Sequence, residues 1–214
     1  MLLEEERALL VEFSRRMQAD QLTVGTSGNL SVRSGDHVAI TPSGAAYETL
    51  TPESICVISL DGERLDGPLE PSSEVPMHTL VYQHTDAAAV VHTHPAYAST
   101  LSALIGELPA VHYMIALLGG PVRVAPYATY GSRELAENSV TAMAGRYGAL
   151  LQNHGATTYG ESLAKAYTRS VYREWLCRMY YQARLLGEPN ILPAEEIERV
   201  GKKLESYGQS IESP

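Results

Sequence analysis

Apolar positions change period several times along the chain, and each change marks an element. Over residues 2–17 Leu2, Leu9, Leu10, Phe13 and Met17 recur near helical spacing, with acids first and Arg15-Arg16 near the end, as a helix dipole prefers. An opening helix is expected there. Small and hydroxyl residues crowd positions 23–31, a turn ahead of a short alternating strand. A strand over 37–41, a turn at Pro42-Ser43-Gly44, a strand over 55–60 closed by Asp61-Gly62 and a shorter interrupted strand over 65–69 follow. Ser72 or Ser73 caps a helix whose apolar positions Val75, Met77, Leu80 and Val81 carry it to about residue 84, with Glu74 in its first turn.

The apolar run before His92-Thr93-His94 reads as a strand, whose period of two puts both histidines on one face. Pro95 suits the first position of the next helix, read over 97–104, so the pair sits at a strand-to-helix junction. Residues 111–114 read as loop and 122–125 as a strand, and Ser132 caps a helix over 133–146. A strand over 149–151 stops at Gln152-Asn153-His154-Gly155. Leu163, Ala166, Tyr167, Val171, Trp175, Met179 and Ala183 then step by three and four along a long helix over 162–186. A last helix over 194–206 ends in the tail Tyr207-Gly208-Gln209.

Composition narrows the classes. A chain of 214 residues, 44% hydrophobic, without repeat, linker or charge block, suits one domain over 1–214. Its net charge of −9 argues against a nucleic-acid binder and leaves room for a small anionic substrate in a local pocket. Cys56 in a strand-like run and Cys177 inside the long helix read as buried thiols, which fits a cytoplasmic protein. The acidic N-terminal stretch does not resemble an export signal, and no apolar window approaches the roughly 20 residues that span a bilayer.

Chemistry concentrates in a few positions. His92 and His94 with a distant His154 have the form of a catalytic zinc centre, three imidazoles with one coordination position open; Co²⁺ or Mn²⁺ suits three imidazoles as well. Glu74 reads either as a dipole-compensating acid or as a base beside the metal, able to take a proton alpha to a carbonyl. His78, on the same helix face, reads as a satisfied surface or core histidine ahead of a spare ligand. The turn around Gly28 and Asn29 is either a hairpin turn or an anion-binding loop, and it matches neither common nucleotide-binding glycine pattern. With Ser43-Gly44 as a second candidate phosphate contact, metal, base and anion sites together describe aldol chemistry on a sugar phosphate.

Seven motifs in order, Thr26-x-Gly28-Asn29-x-Ser31, Thr41-Pro42-Ser43-Gly44, Pro71-Ser72-Ser73-Glu74, His92-x-His94, His112-Tyr113-Met114, Tyr127-Ala128-Thr129-Tyr130-Gly131 and Gln152-Asn153-His154-Gly155, resemble the class II aldolase/adducin family over nearly the whole chain. Within it they are most similar to the branch of bacterial fuculose-phosphate aldolases. The resemblance implies a three-layer α/β/α fold with a mostly antiparallel central sheet, assembled as a homotetramer with active sites between subunits. It implies Zn²⁺ on His92, His94 and His154, with Glu74 a ligand that substrate displaces and that then acts as the base. Phosphate would lie against Gly28, Asn29, Ser43, Gly44, Ser72 and Ser73. Tyr113 of an adjacent subunit would assist protonation at the aldehyde oxygen, and Tyr207 would help close the site. The implied reaction cleaves a ketose 1-phosphate, such as L-fuculose 1-phosphate, to dihydroxyacetone phosphate and a short aldehyde such as L-lactaldehyde, through a metal-stabilised enediolate.

Asn153, Tyr130 and Thr93-His94-Pro95 depart in detail from the fuculose-aldolase pattern, which leaves the aldehyde partner open. Three other activities share the fold. An L-ribulose 5-phosphate 4-epimerase is disfavoured by the His112-Tyr113-Met114 segment; a methylthioribulose-phosphate dehydratase would use the base for elimination; a non-catalytic adducin-like scaffold should lack the ligands, which are present here.

Overall fold

The computed structural model describes residues 1–205, so Tyr207 and the expected helix end at residue 206 lie outside the described residues. Six α-helices and nine strands are found among those described. In chain order they are α1 (Glu4–Ala19), β1 (Asn29–Ser34), β2 (His37–Ile40), β3 (Cys56–Ser59), β4 (Arg64–Asp66), α2 (Val75–His84), β5 (Ala89–Thr93), α3 (Ala96–Ser102), β6 (Glu107–Leu108), β7 (Val122–Ala125), α4 (Arg133–Ala142), β8 (Gly148–Leu151), β9 (Gly155–Gly160), α5 (Leu163–Leu186) and α6 (Ala194–Leu204). No helix is long and apolar enough to cross a membrane among the described residues.

The strands form one sheet in the order β4-β3-β2-β1-β5-β9-β8-β7-β6. Only β7 and β8 pair in parallel, so the sheet is mixed and mostly antiparallel. Side-chain alternation then sorts the core into layers. Val38, Ile40, Cys56, Ile58 and Val90 face α2 and α4, in a core with Met77, Val81, Ala136 and Met143. The alternate positions Leu30, Ala39, Ala89 and Val91 pack against Leu10, Phe13 and Met17 of α1 and Tyr167 of α5. Leu101, Val122, Leu150, Leu176 and Ile197 join α3, α5 and α6 to the far side of the sheet. Helices on both faces of the sheet give the three-layer α/β/α arrangement expected, and Cys56 and Cys177 are free and buried.

Several boundaries differ from the sequence reading. Val75 opens α2, with Glu74 rather than a serine at its cap and Pro76 in the first turn, where its missing N–H costs nothing. In α3 the last turn tightens, with Ala103 bonded to Thr100 and Leu104 to Leu101, so the α-helix stops at Ser102 rather than 104. The chain leaves α4 at Ala142 rather than 146, since it must turn at Gly145 (φ 68°) to enter β8. Residues 111–118, read in part as loop, hold a 3-10 turn over Tyr113–Leu118, and the two-residue β6 had no readable pattern. The largest difference is β9: a Gly-bounded GATTYG segment is a fully buried central strand, paired to both β5 and β8.

The sheet's centre depends on close approach at Gly28. Its φ is +81°, and an added Cβ would sit 2.8 Å from the His92 carbonyl oxygen. Gly28→Ala is therefore expected to cost about 1–3 kcal/mol of stability, from left-handed strain and the displaced strand. Gly44, at φ +63° with open space around it, should cost only about 1 kcal/mol as alanine. Urea unfolding of both variants checks the ranking; equal midpoints would show that β1 does not need this contact.

Candidate metal centre and active site

Adjacent strands and one helix end bring the centre together. Asn29 lies opposite His92 in the β1–β5 ladder, and His92 lies opposite Thr157 in the β5–β9 ladder. Two residues beyond Val90, His92 points to the α2 face, while Thr93 points the other way and takes a hydrogen bond from buried Arg173 of α5. His94, just past β5, is tied by its N–H to the Leu22 carbonyl at 3.0 Å. The tight β8–β9 turn presents His154: Asn153 takes a left-handed φ of 53°, which asparagine tolerates, and the His154 N–H donates to Leu151 O. Gly155 lets β9 pass so close to Thr93 O and the His94 ring that a Cβ would collide with both. Glu74 sits at the start of α2, where Ser72 Oγ accepts its backbone N–H at 3.2 Å.

The ligand atoms of Glu74, His92, His94 and His154 all lie within 4.8 Å of one another. The three rings form a near-threefold cluster, with centroids 4.7, 4.9 and 4.8 Å apart and interplanar angles of 75°, 71° and 73°. His92 Nδ1 faces the Ala156 carbonyl and Thr157 Oγ1, both at 3.2 Å. A carbonyl only accepts, so Nδ1 carries the proton and Nε2 keeps its lone pair. That lone pair lies 2.9 Å from Glu74 Oε2 and 2.8 Å from His94 Nε2. Glu74 Oε1 is buried without a hydrogen-bond partner, and His154 Nε2 stands 3.5 Å away.

Electrostatics agree with this arrangement. Burial pushes His94 down to about 3 and His154 down to about 4, helped by the neighbouring imidazoles, so both rings are neutral near pH 7. Burial alone would raise the Glu74 carboxyl; positive charge at the facing His92 Nε2, the Asn29 N–H and positive charge at His154 outweigh it and hold Glu74 well below the usual carboxylate range, so a cation or proton among the rings stabilises the ionised carboxylate. Neutral imidazole nitrogens and an ionised carboxylate converging on one point suit a divalent cation. An orphaned buried carboxylate oxygen and a donor set of three nitrogens with one oxygen fit such an ion, and these four residues could hold it.

The same region meets three turns. A cavity of about 160 Å³ is lined by Thr26, Ser27, Gly28, Asn29, Pro42, Ser43, Gly44, Ser72, Ser73, Glu74, His94, Tyr130 and His154. All six positions expected to face phosphate are thus in one place. Tyr130 is exposed beside them. Tyr113 is not among these residues; it lies 45% exposed on the 3-10 turn, stacked on His112, in a larger depression with Val171, Tyr172, Trp175 and Leu192. His78 is fully buried outside the ligand cluster, as a satisfied core histidine. Sequence reasoning missed Tyr47, whose buried hydroxyl clamps the first turn by donating to Ser27 O at 2.9 Å and Gly28 O at 2.6 Å. A lone tyrosine in a loop gives no signal of that role.

Three imidazoles and a carboxylate at the edge of an anion-sized cavity, carried by a mixed sheet between helices, define the machinery of a metal-dependent lyase. Residues 8–181 match the class II aldolase and adducin N-terminal domain, and the chain belongs to that family. It is 42% identical over 212 residues to a 5-deoxy-D-ribulose 1-phosphate aldolase of Bacillus thuringiensis serovar kurstaki, covering 98% of this chain and 100% of that one. It is 42% identical over 194 residues to the L-fuculose phosphate aldolase of Escherichia coli K12, covering 89% and 90%. The solved structure of an L-fuculose 1-phosphate aldolase superposes with a TM-score of 0.92 at 40% identity, over 94% of this chain and 96% of that one. The chain is accordingly a class II, metal-dependent aldolase in type.

Acid should destabilise the metal-free protein. His78, His94 and His154 have folded pKa values of about 3, 3 and 4 against an ordinary value of 6.5, so below pH 6.5 the unfolded chain binds more protons. Their contribution is complete above pH 6.5 and is lost progressively as pH falls toward 4. Glu74, also depressed, extends the loss below 4.5. Thermal unfolding of chelator-treated protein should show a falling midpoint from pH 6.5 to 4.5; a midpoint unchanged across that range would mean that the rings are not held neutral.

Proposed function

We propose that this chain is a zinc-dependent aldolase that reversibly cleaves a deoxyketose 1-phosphate between C3 and C4, giving dihydroxyacetone phosphate and a short aldehyde. The observation that carries the reading is Glu74: an ionised, buried carboxylate with one unpartnered oxygen, set between three imidazoles and the serine and glycine turns. His92, His94 and His154 would hold a divalent cation, and that ion would supply a Lewis acid for the ketose carbonyl and for the negative charge released as the bond breaks. No lysine Schiff base is then needed.

The chain's own residues do the rest. Backbone N–H groups and hydroxyls of Gly28, Asn29, Ser43, Gly44, Ser72 and Ser73 hold the phosphate, which fixes C1 to C3 beside Glu74. In the condensing direction Glu74 takes a proton from the carbon that will become C3 and passes it to solvent; in cleavage Glu74 takes up a proton from solvent and delivers it to C3, while the C4 hydroxyl proton leaves the other way. The depressed pKa of Glu74 keeps it ionised at neutral pH, ready to act as the base. Tyr113 serves the aldehyde oxygen, protonating it in condensation and accepting the C4 hydroxyl proton in cleavage. Its exposed position beside Trp175 and Val171 supports its working in a neighbouring copy's cavity, within a homotetramer.

Substrate choice concerns the carbons beyond C3. Cleaving 5-deoxyribulose 1-phosphate leaves a two-carbon aldehyde, and cleaving L-fuculose 1-phosphate leaves L-lactaldehyde. Full-length similarity to the Bacillus enzyme sets the five-carbon ketose beside fuculose as the substrate to try. A coupled assay for dihydroxyacetone phosphate should register turnover of at least one of them. Exclusive 4-epimerisation of ribulose 5-phosphate, exclusive dehydration of methylthioribulose 1-phosphate, or no turnover of any of these would sink the aldolase reading.

Glu74→Gln should slow solvent exchange of a hydroxymethyl proton of dihydroxyacetone phosphate by about 10²-fold or more, as loss of a general base does; exchange at the wild-type rate would remove Glu74 from the base role. Tyr113→Phe should keep that exchange and lose aldol turnover. If Tyr113 acts across subunits, refolding Tyr113→Phe together with Glu74→Gln chains should restore part of the cleavage activity that neither has alone. An inactive mixture of folded mixed oligomers would place Tyr113 and Glu74 in the same chain's site.

A further inference from the structure

A second polar network runs behind Glu74, away from the cavity. On α2, Glu74, His78 and Tyr82 follow one another at intervals of four and share a helix face; on β1, Asn29 and Ser31 alternate onto the facing side of the strand. The two sets interlock. Asn29 Nδ2 lies 3.0 Å from Glu74 Oε2, and His78 Nε2 lies 2.5 Å from Asn29 Oδ1. Ser31 Oγ is 2.6 Å from His78 Nδ1 and 2.7 Å from the Tyr82 hydroxyl. All five side chains are buried: His78 and Ser31 are 0% exposed, Tyr82 2%, Glu74 5% and Asn29 6%.

Hydrogen-bond chemistry orders this network in one direction. An ionised carboxylate only accepts, so the Asn29 N–H edge must face Glu74 and its carbonyl must face His78. His78 Nε2 must then carry a proton to donate to that carbonyl. In the neutral ring Nδ1 keeps its lone pair, the Ser31 hydroxyl donates to it, and Tyr82 donates to Ser31 in turn. If the amide turned over, its carbonyl oxygen would meet the carboxylate and its N–H edge would meet an N–H. Both ends would be repelled among buried side chains. Glu74 is the one charged member of the chain, so what the network orients is that carboxylate.

We infer that His78 is a positioning residue of the reaction: through Asn29 it fixes the edge of the amide that faces Glu74, and so holds the carboxylate in its direction for proton transfer. The inference rests on the reading of Glu74 as the acid–base group. It also couples the two halves of the site, since Asn29 borders the phosphate cavity while donating to Glu74.

Three variants test it. His78→Leu removes the donor, His78→Gln keeps an N–H near the Nε2 position, and Ser31→Ala removes the hydroxyl that selects the tautomer. For His78→Leu, kcat for cleavage and for proton exchange should fall about ten- to a hundred-fold, the scale of losing a hydrogen bond relayed to a charged group, while KM stays within about threefold. His78→Gln should recover most of that loss although it is also a buried substitution, and Ser31→Ala should lose several-fold in kcat and keep KM. In the metal-free protein, ¹⁵N imidazole spectra should show His78 as the neutral Nε2–H tautomer, and Ser31→Ala should mix the tautomers. Should His78→Leu fail to fold, the Ser31→Ala kinetics and the tautomer decide. An Nδ1–H tautomer in the wild type would overturn the inference, as would wild-type kcat in Ser31→Ala or in folded His78→Leu while Glu74→Gln loses proton exchange. Retained exchange in Glu74→Gln would overturn the base reading itself, and with it the reason for positioning Glu74; the tautomer measurement tells the two failures apart.

Discussion

One electrostatic constraint governs the centre of this molecule: a buried carboxylate and the ligand nitrogens of three imidazoles converge on the same point. His92 spends its one proton on the Ala156 carbonyl and Thr157, which leaves its Nε2 lone pair facing Glu74 and His94. The His92 Nε2 lone pair and the Glu74 carboxylate, 2.9 Å apart, repel unless a positive charge lies beside them. Burial keeps His94 and His154 neutral, so the rings themselves are poor sources of that charge. The arrangement suits a cation, with an ionised Glu74 within its reach.

The rest of the fold serves this convergence. Four ligands come from three places in the chain, and they meet because β5 lies between β1 and β9 while the start of α2 stands over that part of the sheet. Close backbone approach makes the spacing attainable: Gly28 admits the His92 carbonyl, and Gly155 admits Thr93 and the His94 ring. Behind the centre, Arg173 ties Thr93 to α5, and the Asn29–His78–Ser31–Tyr82 chain ties α2 to β1. In front, Tyr47 clamps the Ser27–Gly28 carbonyls, so the first turn that lines the cavity is fixed by a side chain from outside it.

Much of this was legible in the sequence where a local rule decides the outcome. Strand periodicity put His92 and His94 together, capping chemistry located α4 at Ser132, apolar steps of three and four located α5, and the hydroxyl-rich turns announced themselves by composition. Seven ordered motifs then linked the histidines, Glu74 and the turns, which no single spacing could do. What stayed hidden is set by tertiary contact. The β9 strand has glycines at both ends and small residues within, so its period of two carries no hydrophobic signal; its burial comes from β5 and β8 on either side. Tyr47 and Tyr82 look ordinary until their hydroxyls find partners far away in the chain. His78 read as a satisfied histidine of surface or core and lies in the core, but which groups satisfy it depends on how β1 sits against α2.

The claim on which the account turns is that a metal occupies the point where the four ligands meet. Anomalous diffraction from crystals of the protein grown with zinc, recorded on both sides of the zinc absorption edge, tests it directly. The account predicts one strong peak per chain, bounded by the Nε2 atoms of His92, His94 and His154 and beside the Glu74 carboxylate. No peak at that point, with the rings and the carboxylate joined to one another through shared protons, would contradict it.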